Sequence, residues 1–318
     1  MAYNFLDFEK PIADLENRIE DLRMAAGGQV DAHDEITKLS KKADELRERI
    51  FGNLNAWQKT MVARHQDRPS TEDYISALMP DFIEMHGDRA YADDPAVICG
   101  MAWFDEQPVV VIGHNKGRKT KDKIRCNFGW PHPEGYRKAL RLMRFAEKFK
   151  RPVITFIDTA GAYPGIGAEE RGQSEAIARN LFEMSALTVP VIAVVVGEGG
   201  SGGALALGVA NRVLMLEHAI YSVISPEGCA AILWNDRAKA SEAAELLKIT
   251  AQDLIKLKVI DEIIKEPVGG AHRNPESMSR SIEKSLKKHL KELQKLSPEE
   301  LAEDRFEKFR SLGNFLER

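Results

Sequence analysis

Cysteine is scarce in this chain: three in 318 residues, Cys99, Cys126 and Cys229, far apart and in no CxxC pair. That excludes a disulfide scaffold and a zinc site built from this chain alone, leaving small buried thiols of a reducing compartment. A strong excess of one charge is also missing, and a net charge of -4 provides no general field for nucleic acid or an anionic membrane. Long apolar runs are absent, since the longest, Val189 to Val196, is far too short to span a bilayer. The opening residues, MAYNFLDFEKPIADLENRIEDL, are acidic and amphipathic, unlike a secretory or transit leader, so a cytoplasmic location is expected. What is present, 43% hydrophobic and 30% charged residues, is the composition of an ordinary globular protein with room for one large core or two modest ones.

The first stretch has a helical rhythm. Phe8, Ile12, Leu15, Ile19 and Leu22 form one seam, and Ile36, Leu39, Ala43, Leu46, Ile50 and Leu54 form another, with Pro11 suited to a first helical turn. Ala25-Ala26-Gly27-Gly28-Gln29 interrupts the pattern, which predicts an antiparallel hairpin too short to be an autonomous coiled coil. It must pack on the main body or on a partner. Ser70 after Pro69 caps a further helix carrying Glu72 and Asp73 in its first turn.

The texture then changes. Ala96 to Phe104 and Pro108 to Gly113 read as two strands joined by a tight turn, followed by a basic loop from Lys116 to Arg125 and a helix from Pro133 to about Lys150. Strands are predicted at Val153 to Ile157, Val189 to Val196, Val213 to Leu216 and Tyr221 to Ile224, with helices at Glu169 to Ser185 and Gly203 to Val209 between them. Continuous Val/Ile runs separated by helices indicate an α/β core with strands covered on both faces. Helices follow at Ala240 to Leu247, Ala251 to Leu257 and Pro275 to Leu296, with a strand at Val259 to Ile264. The pattern divides the chain into a helical hairpin (1–65), a core (66–266) and a helical extension (267–318).

Chemistry concentrates at Gly197-Glu198-Gly199-Gly200-Ser201-Gly202-Gly203, between a buried strand and a short helix. As GxGxxG it matches a dinucleotide fingerprint with Glu217 at a strand end, although the helix is too short for a Rossmann crossover. As GxSxG it matches a nucleophile elbow at Ser201, although His218 follows too closely and His272 and His289 leave little sheet between. A third reading uses the backbone: glycines admit a ligand closely, and amides opening a helix stabilise an enolate or ureido oxygen. No lysine follows, so a nucleotide P-loop is excluded. A turn that merely packs tightly also stays open.

The same turn belongs to a wider set of motifs. His86-Gly87-Asp88-Arg89-Ala90-Tyr91, Pro133 to Ala139, Asp158-Thr159-Ala160-Gly161-Ala162-Tyr163-Pro164-Gly165, Gly167 to Gln173, Gly197 to Ala204, Ser222 to Cys229 and Gly269 to Pro275 resemble the carboxyltransferase alpha subunits of bacterial multisubunit acetyl-CoA carboxylase. Asn4 to Glu9 resembles that family too, so the likeness spans essentially the whole chain. Ala160 departs from it, standing where a proline is common, which bears on turn stiffness more than on chemistry.

This resemblance implies a crotonase-like spiral of ββα units, whose helices are short, flanked by the N-terminal hairpin and the C-terminal helices. It implies transfer of carboxyl from carboxybiotin, carried on a biotin carboxyl carrier protein, to acetyl-CoA, giving malonyl-CoA for fatty acid biosynthesis within an ATP-dependent complex that includes biotin carboxylase. A beta subunit of similar fold shares the site, with α2β2 the family's assembly, and zinc belongs to that partner; no covalently bound cofactor and no metal are expected here. Carboxybiotin releases CO2 and its ureido nitrogen deprotonates the acetyl methyl group, so the protein mainly holds oxyanions and excludes water. The amides of Gly202 and Gly203 are the expected oxyanion donors and Gly199 and Gly200 the fallback pair. Gly161, Tyr163, Gly165, Pro226 and Gly228 are expected to line the site. The alternatives are a stand-alone crotonase-type thioester hydrolase or isomerase, and a non-catalytic assembly scaffold.

Other features take plainer readings. The basic loop is a solvated surface before it is a CoA contact, and it lacks the aromatics of a nucleic-acid platform. Glu169 and Glu170 suit the start of a helix. His86 and His272 are expected to be structural, and the Lys/Glu mixture of the C-terminal helices marks a solvated face.

Overall fold

The computed structural model describes residues 4–25 and 30–313. The hairpin forms as expected from α1 (Lys10–Ala25) and α2 (Val30–Phe51), which Arg47 and Glu16 bridge at 2.5 Å. The break expected at Ala26 to Gln29 lies outside the described residues. Its apolar seam is not left for a partner alone: Ile12 and Phe51 pack with Val62 of α3 (Ala56–Ala63), and Asn55 caps α3 with a reciprocal Gln58 box. Ser70 caps α4 (Thr71–Leu78).

One mixed sheet follows. β1 (Ile83–Glu84), β2 (Val97–Phe104) and β3 (Gln107–His114) are antiparallel, and Asp105 and Glu106 turn the β2–β3 hairpin with both φ angles positive. A short helix, α5 (Thr120–Arg125), occupies part of the segment predicted as a loop, because nothing between Lys119 and Cys126 breaks a helix. α6 (Pro133–Lys148) then returns the chain to β4 (Val153–Thr159), parallel to β3. The helix predicted from Glu169 to Ser185 is two helices, α7 (Ile166–Glu170) and α8 (Gln173–Ala186), because Gly172 takes a φ of 80°.

β5 (Val191–Gly200) runs parallel to β4 and leads into α9 (Ser201–Leu205). Its first half pairs with β6 (Arg212–Leu216) and its last three residues pair with β7 (Ile220–Ser222). β7 ends before the predicted Ile224, because the Ser222 hydroxyl donates to the Ile224 carbonyl at 2.7 Å and closes a local turn. Ser225 then caps α10 (Pro226–Trp234), a helix the apolar sequence had concealed. After α11 (Ala240–Leu247) and α12 (Ala251–Lys256), β8 (Glu262–Ile264) joins the sheet beside β6. α13 (Pro275–Leu293) and α14 (Pro298–Arg310) complete the fold, and Met278, Ile282, Leu286, Leu290 and Leu301 belong to the same apolar cluster as β2 to β6.

Candidate active site

The carboxyl end of β5 is irregular. Ile157 of β4 faces Val195, but Thr159 faces Gly199, so β5 carries extra residues between the two pairs. The backbone groups freed by this bulge are satisfied by side chains. Arg68 Nε donates to the Val196 carbonyl at 2.7 Å, and the Glu198 N–H donates to Asp158 Oδ1 at 2.9 Å. A Cβ on Gly197 would lie 2.3 Å from that same carboxylate oxygen, which only glycine avoids.

The Glu198 side chain turns into a charged cluster. It accepts from Arg64 Nε at 2.7 Å and Lys116 Nζ at 3.2 Å; Lys116 also lies 2.6 Å from Asp158, and Arg64 reaches Glu227 at 2.5 Å. Burial opposes the charge on Lys116, but Asp158 and Glu198 outweigh it and hold the ammonium above its ordinary pKa. Burial likewise raises Glu198, and Lys116 with Arg64 brings it below the usual carboxylate value. Beneath the turn, burial pushes His114 down to about 3, only partly opposed by the neighbouring Gly203 and Phe156 backbone, so its imidazole is neutral at working pH.

Beyond the bulge, Ser201 adopts a φ of 52°, a conformation most side chains avoid, and α9 begins. Its leading amides have no acceptor within the helix. Gly203 is buried, and a Cβ there would come within 2.6 Å of the Gly161 and Ala162 backbone, whereas one on Gly202 would meet only Ile177, at 3.6 Å. Gly199 and Gly200 instead lie inside β5, against the Tyr221 ring and the Ala160 carbonyl.

The other expected site residues fall around this point. Thr159 Oγ1 lies 2.6 Å from the Gly129 carbonyl and 2.8 Å from the Gly161 carbonyl, which share its single proton, and receives the Gly161 N–H, which locks the start of the Gly161 loop. Tyr163 lies over Gly165 and tilts against His132, and Gln173 Nε2 donates to its carbonyl. Pro226 opens α10, and the Gly228 N–H is already taken by Ser225 Oγ at 3.1 Å. A cleft of about 570 Å³ lies outside the carboxyl ends of β3 and β4, lined by Arg64, Arg68, Asp73, Lys116 and Asp158.

Lys116 therefore leaves the solvated basic loop to which sequence reasoning assigned it, and Arg64, Arg68 and Glu198 were missed as site residues. A signal existed for Glu198: a carboxylate at the end of an apolar strand requires cationic partners. No histidine expected for a hydrolase triad serves Ser201. His289 binds Glu262 at 2.9 Å, His272 stacks on His65 at 3.9 Å, and His218 packs edge-on to Phe51.

Comparison with known proteins places this geometry. A family described as acetyl co-enzyme A carboxylase carboxyltransferase-like matches residues 5–313. The acetyl-coenzyme A carboxylase carboxyl transferase subunit alpha of Geobacter metallireducens is 61% identical over 312 residues, covering 98% of each chain. That of Halalkalibacterium halodurans is 59% identical, covering 98% of this chain and 96% of the other. Among solved structures, transcarboxylase 12S superposes with a TM-score of 0.56 at 21% identity, over 70% of this chain and 42% of that one. A Pseudomonas malonate decarboxylase hetero-dimer gives 0.59 at 16% identity, over 77% of this chain and 96% of that one. These two distant likenesses show the fold alone, the crotonase-like α/β architecture.

Proposed function

The chain belongs to the acetyl-CoA carboxylase carboxyltransferase alpha family, and on that basis we propose how its site works: Gly202 and Gly203 donate two backbone N–H groups to one oxyanion while carboxyl passes from carboxybiotin to acetyl-CoA. The observation that carries this reading is the contrast at the start of α9. Gly203 is pressed against the Gly161–Ala162 backbone, which fixes the peptide, and Gly202 is half-buried with only the Ile177 side chain near it, at 3.6 Å, which leaves more room for a reacting group there than at Gly203. Two fixed donors aimed at developing negative charge lower the barrier because they need no reorganisation when the charge appears. Gly199 and Gly200, paired within the sheet, serve as its foundation. The Gly161, Tyr163 and Gly165 loop forms one wall, and Pro226 with Gly228 forms the other through α10.

The site is half of a composite. Ile166 and Val223, in the segments that carry the two walls, are 79% and 77% exposed, and exposed apolar residues beside a reactive turn suit coverage by a second chain. That chain is the beta subunit, in an α2β2 assembly, with the carrier protein delivering biotin and biotin carboxylase acting in the larger complex. Zinc belongs to the beta subunit. The hairpin, core and C-terminal extension, 1–65, 66–266 and 267–318, act as parts of one scaffold for this half-site. Among the described residues no helix is long and apolar enough to cross a membrane, and a cytoplasmic location follows from the family's role in fatty acid biosynthesis.

Malonyl-CoA-dependent carboxylation of free biocytin tests the reading. Activity is expected from the chain assembled with its beta subunit and from neither alone. Gly202→Val should reduce kcat about 100-fold by displacing the reacting group. Full activity of the isolated chain would remove the composite site, and an unaffected Gly202→Val complex would remove the oxyanion assignment.

A further inference from the structure

The bulge in β5 has more side-chain support than its strand pairing requires. Its carbonyl at Val196 is held by Arg68, its N–H at Glu198 by Asp158, and the Glu198 carboxylate by Arg64 and Lys116 together. These partners come from distant parts of the chain: Arg64 and Arg68 follow α3, Lys116 follows β3, and Asp158 lies near the end of β4. Arg64 makes a second contact, to Glu227 in the first turn of α10, and so ties the β5 turn to the α10 wall. The Glu198 and Asp158 side chains are 10% and 12% exposed and the Arg64 and Lys116 side chains each 25% exposed, so the cluster is sheltered enough for its charges to act strongly. Three residues after Glu198, Ser201 is held at positive φ, and the leading amides of α9 follow.

We propose that Arg64, Lys116, Asp158 and Glu198 are positioning residues, a clamp that sets the direction of the Gly202 and Gly203 amides by fixing the β5 bulge and its distance from α10. The inference rests on the oxyanion reading above and adds to it the means by which the donors are aimed. None of the four needs to touch substrate. Losing the clamp would let the turn relax toward regular pairing and rotate the amides away from the oxyanion, and a misplacement of about 1 Å costs on the order of 100-fold in rate. A donor made only in the transition state affects kcat and leaves ground-state binding alone.

The test uses the chain assembled with its beta subunit and measures kcat and KM for malonyl-CoA and biocytin, with a thermal midpoint for every variant. Glu227→Gln weakens only the tie to α10, by removing its charge and one of its two acceptor oxygens, at a residue whose side chain is 35% exposed, and is expected to lower kcat about 10-fold with both KM values within about twofold. Arg64→Met is expected to lower kcat about 100-fold, and Arg64→Lys should restore the thermal midpoint while recovering only part of kcat, because it lacks the planar fork whose Nε and Nη1 reach Glu198 and Glu227 separately. Arg64→Met combined with Glu227→Gln should be no slower than Arg64→Met alone, since both break one unit. A kcat left intact in Glu227→Gln and Arg64→Lys overturns the clamp while leaving the oxyanion reading in place. A rise in KM at constant kcat also overturns it, by making these residues substrate contacts. A wild-type complex that transfers no carboxyl group overturns the oxyanion reading and the clamp together.

Discussion

Two adjacent glycines respond to the same substitution in opposite ways. A methyl group at Gly203 would meet backbone atoms at 2.6 Å that cannot yield without moving the Gly161 loop, whereas one at Gly202 makes ordinary contact with Ile177. Gly203→Ala should therefore lower both the thermal midpoint and kcat, and Gly202→Ala should leave the midpoint unchanged; melting curves of the two variants check this. His114 supplies a pH-dependent counterpart. Its folded pKa is about 3 because of burial, against about 6.5 in the unfolded chain. Below about pH 6.5 the unfolded imidazole takes up a proton that the folded one refuses, so stability falls as pH drops toward 3, by about 1.4 kcal/mol per pH unit for this group. His272, also lowered to about 3 by burial, acts in the same direction. Denaturant midpoints at pH 7 and pH 4.5 should show His114→Asn losing about 2–3 kcal/mol less between the two conditions than wild type.

At the scale of elements, breaks in regular structure place the backbone of the proposed site. The α7–α8 break rests on Gly172 at φ 80°, where a Cβ has space but the conformation is unfavourable. Gly172→Ala should cost about 1–2 kcal/mol, read as a lower thermal midpoint. The break lets Gln173 start α8 with its side chain between the Pro131 and Tyr163 carbonyls, which a continuous helix would prevent. Hydrophobic periodicity revealed the helical segment but not its interruption, because Arg171-Gly172 does not disturb the apolar spacing. It also missed α10, whose residues are apolar nearly all round, although Ser225-Pro226 carried a start signal. The β5 bulge left one local trace, Gly197, whose purpose becomes visible only when β4 lies beside it.

Across the whole molecule, the C-terminal helices complete the core. Arg305 of α14 is fully buried and donates to the Met184, Leu187 and Val189 carbonyls and to Asn211 Oδ1. Arg305→Ala would strand these acceptors at the end of α8 and the start of β5, and should destabilise the protein by about 3–5 kcal/mol in urea unfolding. The distance from this contact to the glycine turn is a full length of β5, so kcat at temperatures below unfolding should be unchanged. The N-terminal hairpin and the segment after α3 act at the same scale, since Arg64 and Arg68 carry its influence to the active end of the sheet.

The amino-acid sequence by itself determined the α/β class, most strands and helices, and the family, because these depend on periodicity, composition and runs of neighbouring residues. It also singled out the glycine turn to which the proposed oxyanion chemistry is assigned. Tertiary structure alone decided which glycine of that turn is open and which is packed, and why Gly197 must be glycine. It also turned Lys116 inward from a run of solvated charges and recruited Arg64 and Arg68 to a turn more than a hundred residues away. Those outcomes follow from the β4–β5 register and from the pairing of buried charges, and both are properties of segments brought together by folding.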